Sequence, residues 1–521
     1  MKKKFEAVVV GGGIAGLTSA AYLCRYGLRT LLCEKRPKTG GLVETFWRQG
    51  FAFDAGIRAL ENSGIVFPML KDLGIDIDFA QDQVSIGIGD HSVKLASPDS
   101  LDSYIAMLAE IFPDNAADLT AIKAEIRQAM DYMDVLYGID NPLFKAKMEP
   151  DYLLKTLLPW YLKYQQNIRK ASRLDEPIRP YLHRFTPNRA LIDMIIQHFF
   201  RDTPTFFALS YFSLYLDYSY PMGGTGVIPA KMTEYIQAGG GEVLTGAGVV
   251  QVNARDHEVE MENGDVIEYR SLIWAADQRT LYNVTTGIDT PSFQKQQRLS
   301  QNSKGGDSVL TVFLAVDQDQ SYFRDRCGAH MFYTPNPMGL SSLPDWEEMA
   351  SRGSHAIFQW LDHYLERTTY EISCPVLRDK TLAPAGQTGL IVSTLFDYRL
   401  VKLIADQGDY QPFKEACTHQ MISVLEKSLF PGLQEMILFS LCATPLTMEK
   451  ETHNSEGALT GWSFTNPELP SEHRFRKIAK AVHTPIPDVY QCGQWTFSPS
   501  GLPISILTGK LAADQVKKKR K

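Results

Sequence analysis

The chain opens on a change of period. Val8, Val9 and Val10 form a β-branched run, the pattern of a buried strand. Leu17, Ala20, Cys24 and Gly27 then recur at helical spacing, which predicts a helix whose small-residue face packs on a sheet. Residues 28–33 read as a second strand, followed by Glu34. Residues 67–73 predict a short helix closed by Gly74, and residues 85–95 alternate around Gly89-Asp90, a hairpin signal. Ser97-Pro98-Asp99 starts a helical pattern, with Pro in the first turn, that persists with interruptions to about Tyr137.

Between Asp151 and Tyr220 the pattern changes. Leu153, Leu154, Leu157, Leu158, Trp160, Tyr161 and Leu162 are apolar, and Lys163, Arg169, Lys170 and Arg173 follow. Pro159 argues against one uninterrupted helix. Residues 151–173 suit a segment lying in a membrane interface, with aromatics at headgroup level and cations on anionic lipid. The same pattern suits a buried helix followed by a solvated one. The basic run 517–521 would support membrane binding or simply be solvated. Residues 195–200 and 205–216 are rich in aromatics, fit to line a tunnel for a long apolar molecule or to fill a core.

From Tyr220 the alternation of sheet and helix returns. Residues 227–238 predict a helix, Asn263-Gly264 a hairpin turn, and residues 272–276 an apolar strand. Residues 309–316, 355–361 and 389–396 read as strands, and 413–430 as an amphipathic helix stopped by Pro431-Gly432.

Bulk properties narrow the class. A chain of 521 residues holds two or more domains, and 44% hydrophobic with 22% charged residues describes a globular protein. A net charge of −7 gives no sign of a nucleic-acid partner. The seven cysteines are scattered and include no C-x-x-C, which predicts reduced thiols, a cytoplasmic location and no dithiol-type flavin reductase. Lys2-Lys3-Lys4 and the uncharged run 7–24 imitate a leader or membrane span. Three consecutive glycines inside that run fit nucleotide binding instead.

Those glycines carry the candidate chemistry. Gly11, Gly13 and Gly16 form G-x-G-x-x-G at the strand-to-helix junction. Gly11 permits the sharp turn, Gly13 lets backbone approach a pyrophosphate, and Gly16 lets helix and strand close up. The helix N-terminus supplies free N–H groups to that anion. Glu34 stands about 20 residues on, as a ribose-hydroxyl acceptor does. There is one such motif, so no separate nicotinamide domain is expected. No histidine, cysteine and carboxylate spacing fits a metal, and no G-x-S-x-G is present. No side chain stands out as a catalytic acid or base.

Two further stretches, Gly40-Gly41 and Phe51-Ala52-Phe53-Asp54-Ala55-Gly56, follow the acid. With them the chain resembles the flavoprotein group of phytoene desaturases, carotenoid isomerases, retinol saturases and amine oxidases. The resemblance implies FAD as cofactor. It places Gly11, Gly13, Ile14, Ala15, Gly16, Glu34, Lys35, Gly41, Leu42, Arg58, Ala59, Val249, Val250, Gly493, Gln494 and Leu502 against it. Leu42 stands where the group carries an arginine, and Gln494 where it carries an aspartate, although an amide still bonds a ribitol hydroxyl. The resemblance makes residues 488–492 the last strand and 504–516 the last helix, brings residues 501–503 to the flavin ring and aims the N-terminus of that helix at it.

The resulting expectation is an α/β protein with an α+β second domain. A discontinuous Rossmann-like FAD-binding domain of the glutathione-reductase and amine-oxidase type takes residues 1–90, 220–300 and 482–521. A mixed sheet-plus-helix substrate domain takes 91–219 and 301–481. The expected function is hydride exchange between flavin and a carbon–carbon bond of a long apolar isoprenoid, carotenoid or retinoid-like lipid: desaturation, saturation or isomerisation. The expected partners are that lipid, an external electron carrier (quinone, oxygen or a reductase) and a membrane surface. An amine oxidase, whose substrate would want an aromatic cage, is the alternative. A non-redox lipid-binding protein of the GDP-dissociation-inhibitor kind is a third reading, disfavoured by the intact glycines and Glu34.

Overall fold

The structure is a computed structural model and describes residues 3–145 and 148–520. Lys3–Val10 lies inside an eight-stranded sheet. Thr30–Cys33 and Val266–Trp274 pair with it in parallel on either side, and Glu242–Leu244 extends the sheet beyond Thr30–Cys33. Val8, Val9, Leu31 and Leu32 are buried because both faces of this parallel sheet are covered. Val249–Asn253, Glu258–Met261 and Val266–Trp274 form an antiparallel meander whose last strand enters the parallel region. Val489–Gln491 closes on that strand in parallel.

The helix Ile14–Arg25 starts directly after the glycine turn. Its small-residue face meets both the sheet and the last helix, Leu502–Arg520. Ser19 Oγ lies 2.9 Å from the Gly509 carbonyl oxygen, and a Cβ at Gly509 would press on the Ala15 carbonyl. Thus two helix N-termini, those of residues 14 and 502, end beside the same sheet edge.

A second, seven-stranded sheet forms the roof of the space between the two halves. Its order is Ile437–Ala443, Ser308–Val316, Thr388–Phe396, Tyr370–Ser373, His330–Thr334, Val84–Ile88, His91–Lys94. The expected hairpin at 85–95 is present, but it belongs here, paired in parallel with His330–Thr334. A domain boundary at residue 90 therefore runs through a hairpin whose hydrogen-bonding partner lies some 240 positions away.

One other expectation changes. Residues 355–361 are helical, within Ser354–Arg367, because Ile357, Trp360, Leu361 and Leu365 bury one helix face. The roof strand is the next segment, Tyr370–Ser373. The expected interruption at Pro159 is present. A π-helical turn at Leu153–Leu157 leads into Leu158–Ala171, with Pro159 in the first turn, where its missing N–H costs least.

Candidate functional site

One cavity of about 690 Å³ joins the two halves. Its floor is the glycine turn. Gly11 sits at φ +102°, and a Cβ there would stand 2.7 Å from the Ala275 carbonyl oxygen. A Cβ at Gly16 would overlap the Gly11 carbonyl. At Gly13 the same Cβ would meet no protein atom within 4 Å. The first and third glycines thus close protein on protein, whereas the second faces open cavity at an uncapped helix N-terminus. That arrangement fits a pyrophosphate.

The surrounding loops are fixed by backbone donors. Glu34 Oε2 accepts from the Gly12 N–H at 2.6 Å, and Oε1 from the Arg36 N–H at 2.7 Å. Each oxygen keeps lone-pair capacity for a ribose hydroxyl. The Gly40 N–H donates to the Gly12 carbonyl at 2.8 Å, which brings Gly41 against Gly13. Asp54, the acid of the Phe51–Asp54 strand, is fully buried and acts as a clamp. It accepts from Tyr220 Oη at 2.6 Å and from the Thr225 N–H at 3.0 Å, tying the returning 220–225 segment to the 51–54 strand.

Gly11, Gly13, Ile14, Ala15, Glu34, Lys35, Gly41, Leu42, Arg58, Ala59, Val249, Gly493, Gln494 and Leu502 lie on the cavity wall. Two of the sequence-derived residues do not. Gly16 is packed behind the turn, and Val250 is 44% exposed on the outer side of its strand. The strand register shifts between Val249 and Gln251, which leaves Val250 as a bulge residue with no cross-strand partner. The Gln494 amide nitrogen donates to the Ala458 carbonyl at 3.1 Å. Ser500 Oγ on the same wall is buried without a partner, an unmatched polar group facing the space a flavin would fill.

The far end of the cavity is aromatic. Phe199, Phe200, Tyr211, Tyr215, Tyr218 and Phe332 line it. His198 packs its ring 4.0 Å from that of Phe199 and 5.3 Å from that of Phe332, and burial pushes its pKa down to about 3. Burial likewise pushes the Glu61 carboxyl up to about 7 and the Tyr211, Tyr215 and Tyr218 phenols above their ordinary value. Glu371 also faces this end. Burial would raise its pKa, but His330 and Arg58 hold it below the ordinary carboxylate range. Glu61, His198, His330 and Glu371 carry no sequence motif. The one local sign was Glu371 itself, an acid inside an apolar strand.

These features are shared with known proteins. The profile described as "Flavin containing amine oxidoreductase" matches residues 14–517. The all-trans-retinol 13,14-reductase of Danio rerio is 23% identical, covering 94% of this chain and 82% of its own. The chloroplastic prolycopene isomerase of Daucus carota is 23% identical over 87% of this chain and 71% of its own. The 4,4'-diapolycopen-4-al dehydrogenase of Metabacillus indicus is 24% identical over 98% and 96%. Among solved structures, cyclohexylamine oxidase from Brevibacterium oxydans superposes with a TM-score of 0.61 at 12% identity, covering 99% of both chains. Reduced UDP-galactopyranose mutase gives 0.60 at 15% identity over 99% and 94%.

Proposed function

The chain belongs to the flavin-containing amine oxidoreductase family, and we propose that its substrate is a long apolar polyene of the carotenoid or retinoid kind, altered at a carbon–carbon bond. It is an FAD-dependent oxidoreductase. When bound, FAD supplies two-electron hydride exchange with a substrate carbon.

The observation that carries the reading is the single cavity with two unlike ends. At one end the chain itself offers an anion cradle at Gly13 and an acceptor at Glu34. At the other it offers aromatic rings that exclude water and hold an apolar chain in line. The names of the retinol reductase, prolycopene isomerase and diapolycopenal dehydrogenase point to the same substrate class. The likeness to cyclohexylamine oxidase is one of fold.

We further propose that the protein works at a membrane surface and exchanges electrons with an external carrier. In the Leu158–Ala171 helix and the turn before it, Leu154, Leu158, Tyr161 and Leu162 face solvent instead of core. Such a stripe beside Lys163, Arg169 and Lys170 suits the boundary of a bilayer, where apolar substrates reside. Among the described residues no helix is long and apolar enough to cross a membrane.

The test is spectroscopic. Purified protein carrying FAD is mixed anaerobically with all-trans-retinol, prolycopene or 4,4'-diapolycopen-4-al, in both the oxidised and the reduced state. Bleaching or recovery of the flavin band with a polyene, or conversion of the polyene at catalytic enzyme, is expected. A response to amines and to none of the polyenes would overturn the reading.

A further inference from the structure

The roof sheet turns one row of side chains toward the cavity. Phe332, Glu371, Ser393 and Thr311 are successive cross-strand partners on four neighbouring strands, so they share a face. Ser393 Oγ lies 2.9 Å from Thr311 Oγ1 and accepts from Arg58 at 2.8 Å. Glu371 is the ionisable member of that row.

It is also the open end of a buried chain of charge. Arg378 donates to Asp82 Oδ2 at 2.8 Å. His330 Nδ1 stands 3.4 Å from that oxygen, and His330 Nε2 stands 3.1 Å from Glu371 Oε1. The side chains of Arg378, Asp82 and His330 are at most 2% exposed, whereas that of Glu371 is 33% exposed, toward the cavity. Burying such a chain is costly, and apolar residues of similar volume would fold at least as well. Its place beneath the cavity makes it a candidate functional group.

Making a double bond from a single bond removes two hydrogens. One C–H bond breaks with its electron pair leaving as hydride to the flavin. The adjacent C–H bond breaks with its electrons staying to form the π bond, and its hydrogen departs as a proton. We propose that the Glu371 carboxylate takes this proton, and returns it to carbon when a double bond is reduced, with His330 as its positioning residue. The carboxylate oxygen forms one O–H bond and loses its charge, so atoms and electrons balance. This rests on the polyene reading above.

The other groups facing Glu371 fit that role. Arg58 approaches from the 55–59 loop, and Arg378 sits beside the row, donating to Ser373 Oγ two residues along the same strand face. His198 and Tyr215 pack against Phe332 and Tyr218 against His330, and these groups, with Tyr211, stay neutral near neutrality because burial opposes their charged forms. Glu61, the cross-strand partner of Tyr218, is another carboxyl on the cavity wall, and burial favours its protonated form.

The test compares wild type, Glu371→Gln, His330→Gln and Glu61→Gln, each loaded with FAD and checked for its visible spectrum. In the anaerobic reaction with the polyenes, Glu371→Gln is expected to slow electron exchange about a hundredfold or more. Polyene binding, read by fluorescence quenching, is expected to persist. An unchanged rate overturns the proposal. So does weaker binding with an unchanged rate, which would make Glu371 a polar anchor, or loss of the reaction in Glu61→Gln alone.

A second measurement needs no substrate. Two carboxylates hold the His330 proton against burial, so its pKa lies above 6.5. Titration of the bound flavin's visible absorbance is expected to show a step above that value. The step disappears in His330→Gln and moves down in Glu371→Gln. Identical titrations in the three proteins would place the pair out of reach of the flavin and overturn the proposal. If no polyene reacts with wild type, the substrate reading fails while this titration still decides the placement of the pair.

Discussion

Arg378 donates to Asp82 across 2.8 Å, from 296 positions further along the chain, and neither side chain is more than 2% exposed. The bond ties the segment entering the 84–94 hairpin to the segment leaving the 370–373 strand, at the point where His330 also reaches Asp82. Breaking it leaves a guanidinium unpaired in the core. Asp82→Asn is expected to cost about 3–5 kcal/mol of stability, measured by denaturant unfolding. Arg378→Met should cost a similar amount, and the double variant less than the sum. A loss within experimental error for both single variants would refute this.

The same pair predicts acid sensitivity. Burial opposes the Asp82 charge, but Arg378 and His330 outweigh it and hold the carboxyl well below the usual range. A folded pKa below the unfolded one gives stability that is full above the unfolded value and is lost as pH falls through the folded one. Unfolding free energies of wild type and Asp82→Asn should therefore converge as pH drops below about 4. Parallel curves would count against the pairing.

His198 gives a second pH signature with a different window. Its ring is neutral in the fold, with a pKa near about 3 because of burial, against 6.5 when exposed. Its contribution is full above 6.5 and lost progressively as pH falls toward 3. His198→Phe removes that proton-binding site and keeps the ring contacts with Phe199 and Phe332. The variant should gain on the order of 1 kcal/mol relative to wild type by about pH 5, and little near neutrality. Melting temperatures across that range decide it.

How far the sequence could be read follows from distance along the chain. Gly11, Gly13, Gly16 and Glu34 fall within 24 residues and each has a backbone task, so local order alone assigns them. The Glu371, His330 and Asp82 chain has no such locality. Its members sit on the 370–373 and 330–334 strands and just before the 84–88 strand, and only the sheet order joins them. The hairpin at 84–94 was visible, but its neighbour was not, because parallel pairing at long range leaves no local pattern. Residues 355–361 were too short a window to separate the two periods. Extending it to Leu365 would have shown the helical repeat.

The three glycines of the turn separate folding from binding. Gly13 has φ −71°, a conformation alanine adopts freely, and no protein atom is near its absent Cβ. Gly13→Ala should fold normally yet lose FAD affinity tenfold to about a hundredfold, the effect of roughly 1–3 kcal/mol of overpacking. Gly11→Ala, with a left-handed φ and the Ala275 carbonyl in the way, should lower the melting temperature of the cofactor-free protein as well. FAD titration and thermal unfolding, run in parallel, distinguish the two. Equal FAD affinity for Gly13→Ala and wild type would contradict the cradle.

The exposed stripe on the 158–171 helix predicts where the protein meets lipid. Trp160 Nε1 donates to the Val135 carbonyl at 2.7 Å and fixes the inner face on the Ala116–Leu136 helix. Leu154, Leu158 and Leu162 are then left 66%, 50% and 59% exposed, too much apolar surface in one place for a helix facing only water. Each leucine moved from water into a bilayer boundary contributes on the order of 1.5 kcal/mol. Replacing all three with glutamate should therefore weaken partitioning by about a thousandfold. The measurement is flotation with vesicles of phosphatidylcholine and phosphatidylserine. Wild type should float, bind less as salt screens Lys163, Arg169 and Lys170, and require the leucines at every salt concentration. If wild type sediments, or the triple variant floats equally well, the stripe is not a membrane contact. Flavin content of the triple variant should be unaffected, because none of these leucines touches the cavity.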